Sequence, residues 1–120
     1  MPVMFRIEWL HSMAISAHSF GDDDKAIDHY TEASLWIADS SFRPRLFFSL
    51  KSSNIITAKK IGLVEDARDS AILLHNEYDR VEESIYNIHR ADVLCAIAEC
   101  FIILEDFNKS EELYLSLIHI

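Results

Sequence analysis

His11 and His18 stand seven residues apart, which places both imidazoles on one face of a helix. Such a pair could seed a metal site and, through it, a metal-dependent hydrolase. A catalytic metal needs about three protein ligands, and no third is placed: neither HExxH nor CxxC occurs. Solvated surface positions are therefore the reading preferred for both, and His29, His75 and His89 are too scattered to be given any chemistry. Asp22-Asp23-Asp24 could hold a cation, yet a Ca²⁺ loop needs spaced ligands and a closing Glu about twelve positions along. Carboxylates at a helix start are explained by capping and by the helix dipole. Glu65-Asp66 and Glu82-Glu83 read the same way, as solvated helix starts rather than carboxylates sharing a proton. Cys95 and Cys100 are five apart, about 140° around a helix, so they leave by different faces. Two cysteines cannot build a disulfide scaffold; buried apolar thiols in a reducing cytoplasm are expected. No GxSxG or SxxK occurs, and two glycines cannot cradle a phosphate. The residues predict no enzyme, no cofactor and no metal.

The elements that would carry these residues are helices. Two Gly and two Pro in 120 residues are too few for a chain of turns and strands, and half of the residues are hydrophobic, enough for one domain with a modest core. A net charge of −9 argues against nucleic acid and against anionic membrane surfaces, both of which require a basic face. Arg6 and Glu8 interrupt any secretory signal, and the most apolar stretch, Val93 to Leu104, contains Glu99 and is too short to span a bilayer. A cytoplasmic location is expected.

One pattern recurs three times. Gly21 opens Gly-Asp-Asp-Asp-Lys-Ala, Gly62 opens Gly-Leu-Val-Glu-Asp-Ala, and Glu105 opens Glu-Asp-Phe-Asn-Lys-Ser; the spacings are 41 and 43 residues. A period near 42 predicts stacked helix hairpins, each burying its apolar face against its neighbours. Apolar periodicity predicts helices over 4–20, 23–39, 45–61, 64–79, 84–104 and 107–117. Gly21 and Gly62 end the first and third as left-handed caps, an Asp of the triplet caps the second, and Pro44 suits a first helical turn. The last six residues, Leu115-Ser116-Leu117-Ile118-His119-Ile120, match the translation of a common transposon sequencing adapter, CTGTCTCTTATACACATC. The expected domain is therefore 1–114, with hairpins at about 4–39, 45–79 and 84–114, and 115–120 set aside as an artefact. On that reading the chain is a fragment, and Ile97, Phe101, Leu104 and Tyr114 are expected at an exposed C-terminal end open to self-association.

These residues resemble tetratricopeptide repeats of the type with a period near 40. First helices match at Leu10, Met13, Ala14, Ala17; Lys51, Asn54, Ile55, Ala58; and Leu94, Ile97, Ala98, Phe101. Second helices match at Ala26, Tyr30, Ala33; Ala67, Ala71, Leu74; and Ser110, Tyr114, Leu117. The second repeat departs from the pattern at Lys51, Asn54, Ile55 and Ala71. The resemblance implies an all-α, right-handed solenoid of about three hairpins whose first helices line a concave groove. By that register the groove residues are Glu8, His11, Ile15 and His18; Ser49, Ser52, Ile56 and Lys59; and Asp92, Cys95, Glu99 and Ile102. The carboxylate clamp of chaperone-tail binders has no counterpart: Lys59 is present, but His11, Ile15 and Asp92 stand where other clamp residues are expected. The mixture of Ile with His, Lys and Glu fits a peptide, a helix or a neighbouring domain as partner. The resemblance further implies the docking or sensory segment of a larger signal-transduction protein. Two alternatives remain open: a structural spacer with no ligand of its own, and the His11/His18 hydrolase.

Overall fold

The computed structural model describes residues 2–37, 40 and 43–118, and among these every secondary-structure element is a helix. Helix α1 is Val3–Ser19, α2 is Asp23–Trp36, α3 is Pro44–Lys60, α4 is Val64–Val81, α5 is Asn87–Ile103 and α6 is Phe107–Leu117. A short 3-10 turn, Glu82–Ser84, follows α4.

The three recurring motifs fold into one and the same turn. After α1, the Gly21 amide donates to the His18 carbonyl and the Asp22 amide to the Ala17 carbonyl. Gly62 and Leu63 repeat this with Lys59 and Ala58, and Glu105 and Asp106 repeat it with Ile102 and Phe101. These are Schellman caps, in which a left-handed residue lets the chain turn back on the last carbonyls. The left-handed residues are Gly21 (φ 81°), Gly62 (φ 96°) and Glu105 (φ 63°). Asp22 and Asp106 then cap the next helices, their carboxylates accepting from the Lys25 and Lys109 amides. Leu63 offers no such cap, and the first turn of α4 has only Glu65 and Asp66 against the helix dipole.

The helix limits agree with the periodicity except at two places. The second helix ends at Trp36 rather than 39, since Ile37 already leaves helical angles (φ −108°, ψ 75°), and 38–39 lie outside the described residues. The fifth helix starts at Asn87 rather than 84, because Ile85 and Tyr86 take extended backbone angles and the Arg90 guanidinium donates to the Ile85 carbonyl. Pro44 occupies the first turn of α3, where its missing amide costs no helical bond.

Helices pack in chain order: α1 on α2, α2 on α3, α3 on α4, and α5 on α6. Central α3 packs also on α5, and the body is 21 Å in its thinnest direction, about two helix diameters. Small residues sit at the close crossings: Ala14, Ala26, Ala33, Ala67, Ala71 and Ala98 are all buried. Phe48 holds α3 against α4 within the second hairpin, through an edge contact to Tyr78, and also meets its neighbour Phe47 edge-on.

The expected exposure of the C-terminal end is corrected for three residues. Ile97, Phe101 and Leu104 are buried among α3, α4 and α6, and His75 of α4 packs edge-on against Phe101. Tyr114 alone of the four is exposed. A conspicuous apolar surface is on α1, with Phe5, Trp9 and Met13, and continues to Phe20 just beyond its end. Trp9 is 53% exposed, whereas its register equivalents Leu50 and Val93 are 0% and 2%, since α3 and α5 each have a hairpin packed on that side.

Candidate binding surfaces

The first helices are tied side by side by polar contacts. Arg43, beside the start of α3, donates to the Glu8 carboxylate of α1 at 3.3 Å, and Arg45 pairs with Asp92 of α5 at 3.2 Å. At the other end of α1 the Lys60 ammonium donates to His18 Nε2 (3.3 Å), while His18 Nδ1 lies 2.8 Å from the Asp23 carboxylate. Both ring nitrogens of His18 are therefore used, with Nδ1 donating and Nε2 accepting. His11 lies 6.2 Å from the Tyr30 ring, and burial pushes its pKa below the ordinary histidine value. No three His, Cys, Asp or Glu side chains converge on a metal position among the described residues.

The surface formed by α1, α3 and α5 carries most of the expected groove residues. Glu8, Ile15, Ser49, Asp92, Glu99 and Ile102 are exposed, and His11, His18, Ile56, Lys59 and Cys95 are half-buried. Ser52 is a correction: it is only 4% exposed, and its carbonyl accepts from the Cys100 thiol at 3.7 Å. The register places it on the open face, but α5 packs directly on that part of α3. Burial drives the Cys100 thiol up to about 12, and burial together with Glu99 and Asp92 raises Cys95. Neither is poised as a nucleophile.

A cavity of about 660 Å³ opens at one end of this surface, lined by Arg43, Pro44, Arg45, Leu46, Ser49, Ser84, Tyr86 and His89. The lining is basic in a chain that is acidic overall. Both arginines are paired, but in exposed pairs, whose net contribution is about 0–1 kcal/mol. An incoming carboxylate can exchange with either partner at small cost.

A second cavity, of about 500 Å³, was not anticipated as a site. It lies between α3 and α4 and is lined by Phe47, Lys51, Asn54, Ile55, Ser70, Leu73, Leu74, Asn76, Glu77 and Arg80. The signal was present in the sequence: Lys51 and Asn54 are two of the four departures of the second repeat. Their equivalents are Leu10 and Leu94, and Met13 and Ile97. No helix of the described residues is long and apolar enough to cross a membrane. No family model matches this chain, and neither the curated proteins nor the solved structures compared with it give a match.

Proposed function

We propose that this chain is a protein-interaction module, a tetratricopeptide-like solenoid of three hairpins, whose α1–α3–α5 surface holds a peptide, a helix or a neighbouring domain. Three identical Schellman turns at near-equal spacing support the repeat reading, as does the packing of α3 on both α2 and α5. The observation that carries the binding reading is the basic cavity at the end of a row of aligned first helices. Arg43 and Arg45 receive an acidic side chain or terminal carboxylate, and Ile56 and Ile15 give the rest of the ligand an apolar strip. Such a module would act within a larger signal-transduction protein.

The test is selection of binders from a random peptide library, followed by fluorescence anisotropy on the selected sequence. Acidic peptides are expected, with affinity falling about tenfold or more in Arg45→Ala and in the Ile56→Ala/Lys59→Ala double variant. Unchanged affinity in both variants refutes the surface assignment, and failure to select any peptide favours the spacer.

A further inference from the structure

The equivalent positions Leu10 and Leu94 are core residues, each 2% exposed. In α3 the same position holds Lys51, half-buried and pointed at the second cavity. A charge at a core position demands a counterion or strong hydrogen bonds. Lys51 has neither in full. Its ammonium lies 3.5 Å from the Ser34 carbonyl and 5.5 Å from the centre of the Phe47 ring, and no carboxylate pairs with it among the described residues. Among the described residues the carboxylate lining that cavity is Glu77, which accepts from Arg80 (2.6 and 3.0 Å) and from Ser40 (3.0 Å). Leu73 is 68% exposed on the same cavity, beside buried Phe47, Ile55 and Leu74. Asn54 reaches α2, accepting from the Thr31 hydroxyl, and borders a smaller cavity of about 180 Å³ that shares Asn54, Ile55 and Ser70 with the larger one.

An under-compensated cation, apolar walls and a rim leucine with no cover define one kind of ligand. We propose that the α3–α4 cavity binds a small organic acid, its carboxylate on Lys51 and its apolar body against Leu73, Leu74 and Ile55. The volume lies in the range of small-molecule sites, about 300–1,000 Å³. Burial lowers the Lys51 pKa in the free protein, and a bound carboxylate would favour its charged form. Affinity then falls as pH rises and Lys51 loses its charge.

The probes are octanoate, octylamine and inorganic phosphate, each titrated into the chain with methyl-labelled Leu and Ile and with the Lys51 Cε resonance observed. Octanoate is expected to shift Leu73, Leu74, Ile55 and Lys51 together, and to bind Lys51→Met about tenfold more weakly or worse. Lys51→Met is expected to fold, because Leu fills the equivalent position twice, and its thermal midpoint is expected to rise. Three results overturn the proposal: octanoate that leaves these resonances unmoved, octanoate that binds Lys51→Met as well as the parent, or octylamine that binds as well as octanoate. Phosphate producing the full set of shifts also overturns it, because the apolar body is then irrelevant.

Discussion

Glu105 occupies a left-handed position that two of the three equivalent turns give to glycine, and this makes its cost measurable. Its φ is 63°, against 81° at Gly21 and 96° at Gly62, and all three turns make the same pair of amide-to-carbonyl bonds. A side chain in this region costs about 1–2 kcal/mol in steric strain with the following carbonyl. Replacing Glu105 by Gly removes that strain but frees the unfolded chain, which returns about 0.4–1 kcal/mol. The expected net gain for Glu105→Gly is about 0.5–1 kcal/mol, or about 2–5 °C in Tm for a domain of this size. The reverse change is expected at the glycines. A Cβ built on Gly21 or Gly62 meets nothing within 4 Å, so there is no clash to confuse the backbone effect. Gly21→Ala and Gly62→Ala are each expected to lose about 1 kcal/mol.

The assay is urea unfolding followed by far-UV circular dichroism, with Glu105→Ala as the control. Glu105 is exposed, so Ala at that position keeps the strain and is expected to fall within about 0.5 kcal/mol of the parent. Destabilisation by Glu105→Gly would refute the reasoning, since it would mean that the glutamate side chain contributes more than its backbone costs. Gly62→Ala without effect would refute it equally, because nothing but φ penalises that substitution.

Two further predictions rest on titrating groups. Burial holds the His11 pKa below 6.5, so the unfolded chain binds the proton more readily; stability from this site is present above pH 6.5 and is lost as pH falls through that value. Unfolding midpoints measured across this range are expected to flatten in His11→Gln, and an unchanged acid slope would show that other groups set it. Cys100, fully buried and pushed up to about 12, is expected to react with a disulfide reagent at mildly alkaline pH only when the chain unfolds, with half-buried Cys95 reacting first but slowly. Two fast equivalents from the folded protein would contradict the packing of α5 against α3.

What the sequence made legible follows from which physics is local. The six helices and their three turns rest on apolar periodicity, on Gly21 and Gly62, and on Asp22 and Asp106, all of which act within a few residues. The start of α5 does not, because the Arg90 guanidinium on the Ile85 carbonyl is a contact that no propensity encodes. Lateral burial is harder still. Ser49 and Ser52 are one turn apart on α3 and share a face, yet Ser49 is exposed beside a small cavity between α3 and α5 while Ser52 is buried where α5 packs closely. A repeat register predicts a face, but the line where the next helix crosses it depends on side-chain volumes on both helices. That is why the same register assigned Lys51 to the core pattern and flagged it as a departure. In three dimensions the departure is a cavity with a cation in it. Of the four departures Ile55 and Ala71 are core residues, whereas a half-buried lysine such as Lys51 lowers stability unless something is gained from it. Asn54 is accounted for by its hydrogen bond from Thr31 of α2, which leaves Lys51 as the departure that the proposed organic acid would explain.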